Sequence, residues 1–222
     1  MVRRRHYSLR WKFERGLHPE GAALVAGVDE VGRGCWAGPV FAAAAILPEG
    51  LKHRHLNDSK LLLREYREEL NHFLCGHSEV HWSIGVGSLE EIEVHNILGA
   101  SLLAMRRAVE GLKIQPHLCL IDGNQRAGLS CREITVIDGD ARCPSIAAAS
   151  VIAKVARDRA MAELAVLYPH YGLEKHKGYG TPEHARALTL HGPCAVHRRA
   201  FKPIRERASA LVPDDERDRE LW

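Results

Sequence analysis

Long apolar runs are missing from this 222-residue chain. The longest uninterrupted one, residues 40–47, is eight residues, and a membrane-spanning helix needs about 20. The basic amino terminus is followed by no apolar signal core and no small-residue cleavage site, so no secretory leader is expected. Cysteine pairs at metal or redox spacing are also lacking. The six cysteines (Cys35, Cys75, Cys119, Cys131, Cys143 and Cys194) are scattered with no Cys-x-x-Cys. That usage fits reduced thiols and a cytoplasmic protein. None of the 14 histidines falls in an H-E-x-x-H pattern, and Cys194-x-x-His197 has no second ligand pair, which argues against zinc. Internal repeats and low-complexity tracts are absent.

A large charge excess is lacking too: 31 basic against 28 acidic residues gives +3. The distribution is uneven. Residues 1–16 hold six basic side chains against Glu14 alone, and residues 213–222 hold five acids against two arginines. A basic head and an acidic tail therefore bracket a body near neutrality. With 45% apolar and 27% charged residues the body reads as one globular domain of ordinary composition. The expected division is a basic arm over 1–23, a catalytic domain over 24–212 and an acidic tail over 213–222.

Several apolar segments read as elements. Residues 24–28 form a short buried strand ended by Asp29-Glu30 and glycines. Residues 38–47 suit a second strand, although four alanines leave a helix open. Residues 61–74 read as a surface helix, and 80–87 alternate like a strand. Ser88-x-x-Glu91 is a capping box that opens one long helix to residue 112. Residues 118–121 make a strand tipped by Asp122, and 134–137 another. Pro144 precedes a long alanine-rich helix over 145–167, and short helices with Gly, Pro and His turns follow. Three early strands and then alternating helix and strand imply an α/β sheet of mixed direction.

Four carboxylates stand at strand tips: Asp29 and Glu30 after the first strand, Asp122 after the fourth and Asp140 after the fifth. Ligand sites of open α/β sheets sit at strand ends. Carboxylates that converge repel unless a cation neutralises them, and oxygen-only ligands suit Mg²⁺ or Mn²⁺ rather than zinc. Two such ions could activate water and stabilise a leaving oxygen in phosphodiester cleavage. The competing reading is that acids after strands cap helices or solvate turns, and spacing alone does not make them converge.

Gly32-Arg33-Gly34-Cys35-Trp36-Ala37 also matches the relaxed dinucleotide pattern G-x-G-x-x-G/A. That pattern needs a helix to begin there, and Pro39 falls where the helix should already be running. A glycine-flanked arginine can instead bring backbone groups close to a ligand while its guanidinium holds phosphate.

Taken together, the segments resemble the bacterial ribonuclease HII family. Gly27-Val28-Asp29-Glu30-Val31-Gly32-Arg33-Gly34 and Ala37-Gly38-Pro39-Val40 resemble its opening. Leu56-Asn57-Asp58-Ser59-Lys60, Ile121-Asp122-Gly123-Asn124 and Gly139-Asp140 follow in the family's order. So do the run from Ala147 to Asp158, His176-Lys177-Gly178-Tyr179-Gly180-Thr181 and His197-Arg198-Arg199-Ala200-Phe201. The resemblance covers about residues 24–204. It implies a ribonuclease H-like fold, with a five-stranded mixed sheet, flanking helices and a C-terminal helical region. It also implies a metal-dependent endonuclease, acting with two Mn²⁺ or Mg²⁺ ions. The implied partners are RNA–DNA hybrids and duplex DNA with embedded single ribonucleotides, cut on the 5′ side to leave a 3′-hydroxyl and a 5′-phosphate. Asp29, Glu30, Asp122 and Asp140 match the family's metal-binding acids. Gly32, Arg33 and Gly34 match the loop that senses the 2′-hydroxyl, and Tyr179 matches the tyrosine that stacks on the next deoxyribose. Lys60 fits a phosphate contact.

Some positions depart from the pattern. Cys35-Trp36 replaces smaller or aliphatic residues, and the tryptophan either packs under the loop or touches substrate. Asp138 is a second acid two positions before Asp140. Ala200 stands where a serine is usual. Two other classes compete: a silent nucleic-acid-binding module, opposed by the intact acid quartet, and an oxidoreductase, opposed by Pro39. The expectation is a single-domain nuclease, monomeric and away from membranes.

Overall fold

Residues 42–45 are four alanines in a row, and all four are fully buried. They belong to β2 (Val40–Ile46), which pairs antiparallel with β1 (Val25–Val31) on one side and β3 (His81–Gly87) on the other. A strand covered on both faces shows no polar alternation, which is why its sequence left a helix open. The computed structural model describes residues 11–18, 24–56 and 62–210. Two compact units divide these residues: those up to Val31, from Val40 to Gly87 and from Ser101 to Arg157 form the first, and those of Gly32–Pro39, of Ser88–Ala100 and from Asp158 on form the second.

In the first unit, β4 (Leu118–Asp122) runs parallel to β1 and β5 (Arg132–Val136) runs parallel to β4. The order β3-β2-β1-β4-β5 is the mixed five-stranded sheet expected. Glycines let helices press on both faces. A Cβ on Gly27 of β1 would lie 2.1 Å from the backbone of Ser145 and Ile146, in the first turn of α4 (Pro144–Leu167). On the opposite face, a Cβ on Gly85 of β3 would lie 2.0 Å from the Ala104 carbonyl oxygen, in α3 (Leu89–Glu110). The alanines of β2 and α4 pack with Leu70 and Leu74 of α2 (Arg64–Gly76). Small side chains on sheet and helix bring the two layers close, and the cost of any added methyl is correspondingly high.

Two sequence expectations change. The segment before the first strand contains α1 (Trp11–Gly16), whose Phe13 packs against the cluster of Val25, Leu118 and Ile146. The helix opened by Ser88 is not continuous. The capping box is present, with Glu91 N–H donating to Ser88 Oγ and Ser88 N–H to the Glu91 carboxylate. The helix then breaks at Asn96, whose φ is +56°. Asn96 Oδ1 accepts from the N–H groups of Leu98 and Gly99 and so starts a second helix, a role for which asparagine is well suited.

The second unit gathers the end of α4 with α5 (Leu173–His176), α6 (Pro182–His191) and α7 (Lys202–Ala210). Met161, Tyr171, Leu173, Leu188 and Ile204 form its core, into which Ala37 also packs.

Candidate active site

Asp29 and Glu30 stand inside β1 rather than after it, because the ladder with β2 continues through Asp29↔Ala43 and Glu30↔Ala42 to Val31. On the other side the parallel ladder ends at Val28↔Ile121. Asp29 therefore lies one step past the last pair, beside Asp122 at the end of β4. Strand alternation gives Asp29 the face covered by α4 and Glu30 the opposite one. Asp140 arrives from the far side of β5, in a 3₁₀ turn, Gly139–Ala141. That turn is held by Asp122 itself: its Oδ1 accepts from Gly139 N–H at 2.7 Å and from Asp140 N–H at 3.4 Å. A Cβ on Gly139 would lie 3.1 Å from Asp122 Oδ1 and 2.6 Å from Ile146 Cδ1, so a side chain there would push Ile146 aside and crowd the Asp122 carboxylate.

Asp29 and Asp140 are both buried. Burial, the Asp122 charge and then the Glu30 charge hold the Asp29 carboxyl well above the ordinary carboxylate range, with Asp140 adding to them. A hydrogen bond from Ser150, on α4, works in the other direction. Asp138, the competing acid, is exposed and takes a left-handed conformation just ahead of the turn. Of the two, Asp140 is the one turned into the cluster.

Of the residues expected to recognise substrate, Gly32, Arg33, Gly34 and Tyr179 lie in the second unit, where Gly32 directly follows β1. Gly32 has φ +98°, open to glycine alone without strain, and Cys35 N–H closes the turn onto its carbonyl. Arg33 and Gly34 are exposed. Beneath them, Arg198 is fully buried; its Nη1 donates to the Arg33 carbonyl at 3.0 Å and its Nε to the Gly38 carbonyl at 2.9 Å. Trp36 N–H donates to Gly178 O at 2.7 Å, tying this loop to the turn that displays Tyr179, which is 41% exposed. Gly178 has φ +83°, and a Cβ there would meet the Ala37 carbonyl at 2.6 Å. Trp36 packs against Gly180 and His184, with Arg207 over its ring, so it supports the loop from below. Lys60 lies outside the described residues.

A one-way chain of hydrogen bonds runs under Tyr179. Cys194 N–H donates to His197 Nδ1 at 3.0 Å, His197 Nε2 meets His184 Nε2 at 3.1 Å, and His184 Nδ1 meets the Tyr179 carbonyl at 2.9 Å. A carbonyl only accepts, so His184 carries its proton on Nδ1 and His197 carries its own on Nε2. Both rings are buried and neutral. Burial pushes each down to about 4, helped for His197 by His184. His176 is buried with Nε2 on the Tyr171 carbonyl and stacks on His184.

Asp29, Glu30, Asp122 and Asp140 supply only oxygen, the donor set of Mg²⁺ or Mn²⁺. Among the described residues, no group of three or more His, Cys, Asp or Glu side chains is already set to hold an ion. The carboxylates are instead turned in part to backbone donors, as Asp29 Oδ1 is to Glu30 N–H at 2.7 Å. Burial first, and then the repulsion between these acids, raise the Asp29 carboxyl, and that repulsion is what a cation relieves. The acids fit such a cation by chemistry and charge.

Three residues that shape these sites carried no role in the sequence reading. Ser150 and Arg198 lay within quoted motifs but act through tertiary contacts. Glu14 lay in the basic head, and its contact spans 131 positions.

Comparison with known proteins agrees with this architecture. The family model for ribonuclease HII matches residues 26–204. A ribonuclease HII of Xanthobacter autotrophicus is 47% identical over 200 residues, covering 90% of this chain and 80% of its own. The crystal structure of ribonuclease H2 from Pyrococcus horikoshii superposes with a TM-score of 0.72 at 26% identity, covering 84% of this chain and 98% of its own. A Bst-RNase HIII solved in complex with Mn²⁺ shares the fold, with a TM-score of 0.64 at 18% identity, covering 86% of this chain and 70% of its own. With the matched model extending from β1 into α7, the chain belongs to the ribonuclease HII family.

Proposed function

We propose that this chain is an endoribonuclease that cuts the RNA strand of RNA–DNA hybrids and cuts duplex DNA on the 5′ side of a single embedded ribonucleotide. The observation that carries the reading is the gathering of Asp29, Asp122 and Asp140 at adjoining strand ends, with the Asp29 carboxyl driven upward by burial and by its neighbours' charges.

Asp29, Glu30, Asp122 and Asp140 are the residues to hold divalent cations. Bound there, Mg²⁺ or Mn²⁺ supplies Lewis acidity that activates water and stabilises the departing oxygen. Ser150 and the Glu30 N–H orient the Asp29 carboxylate, and the Gly139–Ala141 turn fixes Asp140 beside Asp122. The ribonucleotide's own 2′-hydroxyl neighbours its 3′ phosphate and does not reach the 5′ one. Water is therefore the nucleophile; the bond between phosphorus and the upstream 3′ oxygen breaks, leaving a 3′-hydroxyl and a 5′-phosphate.

Discrimination falls to the second unit. The backbone of Gly32, Arg33 and Gly34, exposed at the last two, offers polar groups to the 2′-hydroxyl, the atom by which RNA is told from DNA. Tyr179 offers a ring to stack on the following deoxyribose, and Lys60 a phosphate contact. Among the described residues no helix is long and apolar enough to cross a membrane, and the reading is of a monomer acting in the cytoplasm.

The test is incubation with a duplex bearing one ribonucleotide, with and without Mg²⁺ or Mn²⁺. Cleavage should require the metal, and Asp29→Asn or Asp122→Asn should each lower it by about a thousandfold while substrate binding persists. Full activity in either variant contradicts the site.

A further inference from the structure

Helix α4 is the element on which the acid cluster depends. Its first turn lies against β1 at Gly27, two residues before Asp29. Ile146, in that turn, packs on Gly139, the residue before Asp140. Ser150, further along the same helix, hydrogen-bonds Asp29. A small movement of the start of α4 therefore displaces Asp140 and Asp29 together.

The sequence does not cap this helix locally. Cys143 stands at its cap position, with its carbonyl accepting from Ala147 N–H, and a thiol is a weak acceptor. Pro144 has no N–H to satisfy. The first donor needing a partner is Ser145 N–H, and it is met by Glu14 of α1, whose Oε2 lies 3.0 Å away. Glu14 is only 3% exposed. A buried carboxylate at a helix start gains both the hydrogen bond and the favourable end of the helix dipole. Phe13 and Arg142 hold α1 in place beside it, the guanidinium 4.0 Å over the ring.

We infer that Glu14 is a positioning residue for the metal site: by capping α4 from the amino-terminal segment, it sets the turn that presents Asp140 to Asp122 and the helix that orients Asp29. This rests on the proposed metal-binding role of those acids.

The experiment compares wild type, Glu14→Ala, Glu14→Asp and Glu14→Gln. It uses Mn²⁺ binding by calorimetry, the Mg²⁺ concentration for half-maximal cleavage, the thermal midpoint and amide exchange by NMR. Glutamine keeps an oxygen that accepts from Ser145 N–H. It should hold Mn²⁺ affinity and half-maximal Mg²⁺ within about twofold, whereas alanine should weaken both at least about fivefold at a temperature where it remains folded. Should the alanine variant not fold, aspartate, whose carboxylate is drawn back by one methylene, should show the same weakening in smaller degree.

Alanine or aspartate variants that bind Mn²⁺ like wild type, whatever their thermal midpoint, overturn the inference. Amide exchange separates this failure from that of the metal-site reading. If wild type neither binds Mn²⁺ nor cleaves, that reading falls. Faster exchange at Ser145 and Asp140 in Glu14→Ala or Glu14→Asp then supports the positioning role, and unchanged exchange at Asp140 rejects it.

Discussion

Arg198 places its guanidinium on the carbonyls of Arg33 and Gly38, so a fully buried cation braces both ends of the loop that exposes Arg33 and Gly34. Methionine would fill similar volume and leave both carbonyls without these donors. Arg198→Met should lower cleavage at a single ribonucleotide by about 10- to 100-fold through misplacement of the loop, with long hybrids losing less. Steady-state rates on the two substrates check this, and equal losses on both would assign Arg198 to folding instead. Tyr179 differs in being exposed rather than structural: Tyr179→Ala should reduce single-ribonucleotide cleavage with little change in thermal midpoint. At this scale the acids were legible in sequence, because a carboxylate at the end of an apolar run is chemically conspicuous. Glu14 and Ser150 were not, since neither differs from a surface residue until the fold sets Glu14 at the start of α4 and Ser150 against Asp29.

At the level of elements, the contact between β1 and α4 is the tightest constraint on the acid cluster. Gly27→Ala would place a methyl on the Ser145 and Ile146 backbone. The cost should be about 3 kcal/mol or more, seen as a thermal midpoint lower by about 6–12 °C for a protein of this size. The helices and strands were mostly readable from periodicity and caps. Burial on both faces left β2 open to a helical reading beside the strand, and the break in α3 went unread because Asn96 caps the second helix from within a continuous helical pattern.

The histidine chain under Tyr179 predicts a pH response. Both rings titrate near 4 in the fold against 6.5 unfolded, so the unfolded chain binds more protons between those values. Stability is fully present above about pH 6.5, falls as pH drops toward 4 and levels off below it. Protonating His184 on Nε2 would also set two N–H groups against each other across the 3.1 Å contact with His197. Thermal midpoints from pH 7.5 to 4 measure the effect, and His184→Gln should flatten the slope. A slope unchanged in that variant would place the titration elsewhere.

Taken as a whole molecule, the net charge of +3 conceals the chemistry. A hybrid-cutting nuclease needs basic groups for phosphate and acids for metal, and the two cancel in the sum. The basic head is not uniformly basic in use, since its one acid, Glu14, is buried at α4 while Arg15 pairs with Glu49 on the surface. The most direct measurement maps the cut made in a duplex bearing one ribonucleotide, beside an all-DNA duplex of the same sequence, with Mg²⁺ and with chelator. The account predicts one metal-dependent cut 5′ of the ribonucleotide, ending in a 3′-hydroxyl and a 5′-phosphate, and no cut in the all-DNA duplex. Cleavage that survives chelation, falls on the 3′ side or occurs equally in all-DNA would contradict it.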